Sequence, residues 1–173
     1  MNDENEIEIW VGDITKLSVD AIVNAANTGL LGGGGVDGSI HRAAGPELKK
    51  ECAGLKGCAT GDAKITGGYN LPARFVIHTV GPVWYGGVRN EAELLASCYR
   101  KCLFLAKENH IQSLAFPAIS TGAYGFPLDM AAGIAVKEVQ KWMHGNPEPE
   151  KVIFVCFDQA AQRAYEKVLE VND

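Results

Sequence analysis

Four consecutive glycines, Gly32, Gly33, Gly34 and Gly35, separate a short apolar run at residues 21–23 from a stretch of helical spacing carrying Ser39, Ile40, Ala43 and Ala44. This pattern leaves few options for the local fold. The apolar run suits a central strand buried on both faces. Asn24 and Asn27 fall in the turn that follows it, and Gly45-Pro46 stops the helix. Ordering a glycine costs about 1–2 kcal/mol of backbone entropy, so a rigid loop with four of them needs a reason. One reason is close approach: without Cβ atoms the main-chain N–H groups can turn toward one point and admit a bulky anion. The helix that follows adds partial positive charge at its N-terminus. The chemistry is that of a phosphate cradle, and the plain alternative is a flexible loop.

The residues after the glycines narrow the kind of cradle. A P-loop requires Gly-Lys-Ser/Thr, whereas Val36-Asp37-Gly38 stands here, with an acid and no lysine. Gly33, Gly35 and Gly38 satisfy G-x-G-x-x-G, but a dinucleotide fingerprint begins directly after its strand, and residues 25–31 intervene. Asp37 and His41 are spaced i, i+4, which puts both on one helix face, with Asp37 near the anion. A carboxylate beside a phosphate is a candidate general base or water-holding group. Equally, Asp37 can complement the helix dipole and His41 can pack. Asn24 and Asn27 offer amide donors and acceptors suited to ribose hydroxyls, although asparagine is also a common turn residue.

Outside this unit the chain alternates strands and helices. Strands are expected at residues 7–11, 63–66, 75–80, 113–117 and 152–157. Helices are expected at 47–53, 91–109, 127–142 and from a cap at Asp158 to 169. That order implies an α/β sheet covered on both faces by helices. In such sheets ligands sit beyond the carboxyl ends of the strands. A second glycine loop lies there: Ser120-Thr121-Gly122-Ala123-Tyr124-Gly125-Phe126-Pro127. It offers hydroxyls, an aromatic able to cover a sugar, and a proline-started helix. Two cradles suit a diphosphate. Asp13 closes the first strand and could accept a bond from an exocyclic amine such as adenine's, or simply cap a turn. Phe157 closes the last strand and could stack on a base, or lie in the core. His78 is expected to be a satisfied histidine at a strand end, and His110 and His144 loop residues, none with a role.

Composition excludes several classes. The 173 residues carry a formal charge of −5, which argues against general affinity for a nucleic-acid backbone. The length fits a single domain, residues 1–173, with a substantial core. The 5 cysteines are odd in number and lack framework spacing, so reduced thiols in a cytoplasmic protein are expected. Cys98 and Cys102 are helical neighbours without a matching ligand pair, and packing is the expectation rather than metal. The acidic start, MNDENEIEIW, has no apolar signal core. No run approaches the ~20 apolar residues of a membrane span. The default oligomeric state is monomer.

Taken together, several runs resemble the macrodomain family. They are Gly12-Asp13-Ile14-Thr15, Ile22-Val23-Asn24-Ala25-Ala26-Asn27, and Gly33-Gly34-Gly35-Val36-Asp37-Gly38-Ser39-Ile40-His41-Arg42-Ala43-Ala44-Gly45. His78-Thr79-Val80-Gly81-Pro82 and the run Phe116-Pro117-Ala118-Ile119-Ser120 through Pro127 extend the match over residues 7–169. The Asn, Asp and His set is similar to the MacroD-type branch, which includes bacterial O-acetyl-ADP-ribose deacetylases. The resemblance implies a three-layer α/β/α sandwich on a mixed, mostly parallel six-stranded sheet, with ADP-ribose as the bound moiety. It implies that Asp13 recognises adenine, with Ile14 beside it and Phe157 near the base. Gly33, Gly34, Gly35, Val36, Ser120, Thr121, Gly122, Ala123 and Tyr124 are implied to hold the diphosphate. Asn24, Asn27, Asp37 and Tyr124 are implied around the distal ribose, with His41 orienting Asp37 or the substrate. The implied reaction is hydrolysis of an ester on that ribose, in O-acetyl-ADP-ribose or in ADP-ribose on protein Asp or Glu, without metal or cofactor. An ADP-ribose-binding module that does not cleave its ligand is the alternative.

Overall fold

The computed structural model describes residues 6–172. Its centre is one six-stranded sheet. The strands are β1 (Glu6–Val11), β2 (Ala21–Ala25), β3 (Ala63–Gly67), β4 (Phe75–Thr79), β5 (Ser113–Phe116) and β6 (Lys151–Cys156). Their spatial order is β1-β6-β5-β2-β4-β3. Every pairing is parallel except β3 with β4, which is antiparallel. The mixed, mostly parallel sheet that the family resemblance implies is therefore present, and five of its strands end on one edge.

Five helices cover it: α1 (Gly35–Ala44), α2 (Pro46–Leu55), α3 (Glu91–Glu108), α4 (Leu128–Gly145) and α5 (Gln159–Asn172). Successive strand residues point to opposite faces, so Ile22 and Val23, or Val76 and Ile77, serve different layers. Ile22, Val76 and Val155 pack with Ile40, Leu48 and Cys52 of α1 and α2 on one face. Val23, Ile77, Phe116 and Phe154 pack with Leu95, Leu103, Val136 and Tyr165 of α3, α4 and α5 on the other. Both layers of the sandwich thus have their own apolar core, and Cys98 and Cys102 are buried packing residues in the second.

Three boundaries differ from the expected ones in ways that matter. β2 runs on to Ala25, so Asn24 is a strand residue rather than a turn residue. α1 begins at Gly35, four residues before its helical spacing becomes visible. His144 lies in the last turn of α4, not in a loop, because that helix continues to Gly145. A short 3-10 turn, Ile14–Lys16, follows β1. Among the described residues no helix is long and apolar enough to cross a membrane.

Candidate ligand-binding site

β2 and β5 are neighbours, yet the chain leaves them in opposite directions. From β2 it proceeds to the β4 and β3 side, and from β5 to the β6 and β1 side. Where connections diverge like this, the loops part and leave a crevice at the carboxyl edge. The glycine loop after β2 forms one wall, and the loop after β5 forms the other.

The first wall is shaped by Asn27. Its Oδ1 accepts from the main-chain N–H of Gly29 and Leu30, each at 3.2 Å. Its Nδ2 donates to the Gly32 carbonyl at 3.1 Å. Asn27 therefore acts here as the turn residue that folds the loop. Gly32 and Gly35 have φ of 98° and 57°, conformations that residues with side chains rarely adopt. Gly34 caps α1 without a side chain to fill the cap. As a result the N–H groups of residues 33–37 bond to no other described residue. These free donors stand at a helix N-terminus, where the macrodipole favours an anion.

Below the loop lies a buried polar cluster. Asp37 is only 4% exposed and faces inward. Its Oδ1 accepts from Asn24 Nδ2 at 2.9 Å. His41 Nε2 stands 3.5 Å from the same oxygen but is not aligned for a hydrogen bond. A side chain at Gly33 would come within 3.2 Å of both Asp37 Oδ2 and Asn27 Nδ2. Asn24 is fully buried, and its Oδ1 has no partner. Its Nδ2 lies 3.1 Å from Nδ1 of His78, the residue beside it in the β2–β4 register.

The second wall carries a strained residue. Ser120 has φ of 67°, costly for any residue with a side chain and typical of ligand-holding turns. The Phe126 N–H donates to its carbonyl at 2.9 Å, and Gly125 N–H donates to Gly122 at 3.0 Å. Thr121 Oγ1 donates to the Ala118 carbonyl at 2.9 Å. The N–H groups of Gly122, Ala123 and Tyr124 bond to no described residue. Ser120 Oγ is buried without a partner. It fits because residue 81 is glycine; a Cβ there would stand 2.2 Å from that oxygen.

At the β1–β6 end, Asp13 caps the 3-10 turn. Its Oδ1 accepts from Thr15 Oγ1 at 2.7 Å and from Thr15 N–H at 2.9 Å. The hydroxyl bond, then the N–H bond, hold its carboxyl below the usual carboxylate range. Ile14 is buried in the α1–α2 layer. Phe157 is 94% exposed just past β6, so it is not a core residue. The edge therefore presents, in the order β1, β6, β5, β2, a carboxylate, an exposed ring, a loop of free amides, and a second such loop over the Asp37 cluster. Three strand spacings separate the ends, about 14 Å. Among the described residues no group of His, Cys, Asp and Glu is placed to hold a metal ion.

Sequence reasoning assigned no role to His78 and did not consider Thr66, which touches it. The only signal was the run His78-Thr79-Val80-Gly81-Pro82, whose first residue reaches Asn24 and whose fourth makes room for Ser120.

Residues 23–135 match the Macro domain family model. A Macro domain-containing protein of Methanosarcina mazei is 61% identical over 95% of this chain and 88% of its own. A protein of Salmonella newport named O-acetyl-ADP-ribose deacetylase is 54% identical over 95% of this chain and 94% of its own. A variant of the Oceanobacillus iheyensis macrodomain solved with ADPR superposes with a TM-score of 0.93 at 45% identity, covering 98% of this chain and 94% of that one.

Proposed function

This chain belongs to the Macro domain family, and from that premise we propose that it binds ADP-ribose and hydrolyses esters on the distal ribose. Candidate substrates are O-acetyl-ADP-ribose and mono-ADP-ribose carried on protein Asp or Glu. The observation that carries the proposal is the buried Asn24–Asp37 pair directly beneath a loop of free main-chain amides. A binding module needs the amides alone. A carboxylate kept out of water beside an anion site is costly for binding, and it is useful where a water molecule must be held and activated.

In this reading the diphosphate lies between the loops, bonded to the N–H groups of Gly33, Gly34, Gly35 and Val36 on one side and of Gly122, Ala123 and Tyr124 on the other. Ser120 and Thr121 shape the second loop. The adenine lies toward Asp13, Ile14 and Phe157. The distal ribose then rests over Asp37, with Asn24 Oδ1 accepting a ribose hydroxyl and Tyr124 at the rim. Asn27 serves by holding the glycine loop in shape. Asp37 holds the attacking water, and His41 faces the carboxylate oxygen that Asn24 also uses. The negative charge that develops on the ester oxygen is close to fixed amide dipoles, which need no reorganisation during the step. The homologue named O-acetyl-ADP-ribose deacetylase supports the choice of reaction.

The test is paired. Wild-type protein is expected to release acetate from O-acetyl-ADP-ribose, and Asp37→Ala to lose that turnover about 100-fold or more while ADP-ribose affinity by calorimetry changes less. Wild-type binding without acetate release would leave a recognition module. Full turnover in Asp37→Ala would remove that carboxylate from the chemistry.

A further inference from the structure

The Asn24–Asp37 pair is one end of a longer buried chain. Asn24 Nδ2 lies 2.9 Å from Asp37 Oδ1 and 3.1 Å from His78 Nδ1. On the far side of the ring, His78 Nε2 lies 2.9 Å from Thr66 Oγ1. Thr66 Oγ1 in turn lies 3.1 Å from the Gly67 carbonyl. All four side chains are buried. Cys52 Sγ, 3.7 Å from Nε2, covers the ring from α2.

The directions follow from the Asp37 end: the carboxylate only accepts, so Asn24 turns its Nδ2 to it, and the same Nδ2 then faces His78 Nδ1 as a donor. With Nδ1 accepting, the ring proton sits on Nε2 and points at Thr66 Oγ1, whose own hydrogen is free to go to the Gly67 carbonyl. Thr66 Oγ1 thus faces His78 as an acceptor. A neutral imidazole has one N–H, which leaves Nδ1 bare and able to accept from Asn24. The second amide hydrogen goes to the Asp37 carboxylate. Both donors of Asn24 are then used. Turning the amide over would set Oδ1 against a carboxylate oxygen and a ring lone pair at once. The buried Oδ1, the one polar atom of Asn24 left without a partner, can only accept.

We infer that His78, held in one tautomer by Thr66, is a positioning residue that locks the Asn24 amide so that it meets substrate purely as a hydrogen-bond acceptor. The inference rests on the proposed placement of the distal ribose over Asn24 and Asp37. Its consequence is selectivity. A dry, unpaired acceptor favours a ligand bringing a hydroxyl to that point and rejects one that cannot, because the oxygen then stays unsatisfied. The amide loops recognise phosphate in any nucleotide; the Asn24 oxygen asks for a sugar hydroxyl beyond it. Burial, with the neighbouring His41 behind it, pushes the His78 ring down to a pKa of about 4, in keeping with a neutral ring that keeps Nδ1 bare.

The experiment compares wild type, Thr66→Val, Thr66→Ser, His78→Phe and Asn24→Ala. Calorimetry gives affinities for ADP, which lacks the distal ribose, and for ADP-ribose; acetate release from O-acetyl-ADP-ribose gives turnover. The nitrogen NMR spectrum of the His78 ring gives its tautomer. Wild type is expected to show the proton on Nε2. Thr66→Val, which keeps the side-chain shape, is expected to lose about tenfold in turnover and in ADP-ribose affinity with ADP affinity unchanged. Thr66→Ser is expected to recover most of it. His78→Phe should behave like Asn24→Ala. A ring proton on Nδ1 in the wild type overturns the inference. So does normal turnover in Thr66→Val and His78→Phe when Asn24→Ala is impaired, an outcome that leaves the proposed function intact. A wild type without turnover, together with Asn24→Ala binding ADP-ribose normally, overturns both.

Discussion

A fully buried histidine with neighbours on four elements makes folding itself pH-dependent. His78 is lowered from 6.5 to about 4, first by burial and then by the charge of His41. The groups that face it are Asn24 on β2, His41 on α1, Cys52 on α2 and Thr66 on β3, with Asp37 reached through Asn24. The unfolded chain takes up this proton near pH 6.5 and the folded one only near pH 4, so the unfolded state binds more protons between those values and stability rises with pH there. The contribution is complete above pH 6.5 and is lost as the pH falls toward 4, on the order of 3 kcal/mol in all. Urea unfolding at pH 7 and pH 4.5 should show wild type losing about 2–3 kcal/mol more than His78→Gln; equal losses would mean that the buried ring titrates normally. The same residue marks a limit of sequence legibility. That His78 is satisfied was evident from its place in an apolar strand. That it orients Asn24 was not, because the contact spans 54 positions and exists only through the register of β2 with β4. Asn24 was misplaced into a turn for a related reason: asparagine disfavours strands by itself, and only pairing with Asp37 and His78 lets the strand continue through it.

Among the elements, α3 does more than cover the sheet. Glu91 at its start gathers the preceding loop: Oε2 accepts from the N–H of Tyr85 at 2.7 Å and of Gly87 at 2.9 Å, and Oε1 from Arg89 at 2.6 Å. Burial alone would raise this carboxyl, but the main-chain donors of Tyr85, Arg89, Glu91 and Gly87 outweigh it and hold the pKa at about 2. The stabilisation is therefore present above the ordinary value of 4.5 and disappears as the pH falls toward 2. Glu91→Gln is expected to speed amide exchange at Tyr85, Gly87 and Arg89 by about tenfold or more at neutral pH, without a comparable change in the strands. Because Trp84 N–H donates to the Tyr124 carbonyl at 2.9 Å, that loop also supports the second amide loop. Gly81→Ala would strike the second loop from below, with a methyl 2.2 Å from Ser120 Oγ and 2.7 Å from Ile119 Cγ2. It should cost about 1–3 kcal/mol in stability and weaken ADP-ribose binding, as read by unfolding and calorimetry. Wild-type affinity in Gly81→Ala would mean that the turn at Ser120 is not part of the grip. Most elements were legible from period and punctuation alone. The start of α1 was not, because residues 35–38 hold a single large apolar side chain, Val36, and glycine argues against helix except at an end.

At the scale of the whole chain, alternating strands and helices announced a layered α/β sheet, but not the order β1-β6-β5-β2-β4-β3. Local pattern fixes which segments are strands; which strands become neighbours depends on how two apolar faces are shared among five helices, and that is a property of the packed molecule. The order matters, since it strings the carboxylate of Asp13, the ring of Phe157, the second amide loop and the glycine loop along a single edge in the sequence a nucleotide–diphosphate–ribose would need. The chain carries a formal charge of −5, and a diphosphate is itself doubly negative, so long-range forces oppose the encounter. None of the residues proposed to surround the diphosphate is lysine or arginine, and on that proposal its grip comes from N–H dipoles acting at hydrogen-bond distance. Salt at 0.1 M screens exposed charges beyond about 10 Å but does not reach between an amide and the oxygen it touches. Raising sodium chloride from about 0.05 M to about 0.5 M should therefore leave ADP-ribose affinity unchanged or slightly strengthen it, because only the repulsion is screened. A site built on cationic side chains would move the other way. A loss of about tenfold or more over that range, measured by calorimetry, would show that a positive field holds the ligand.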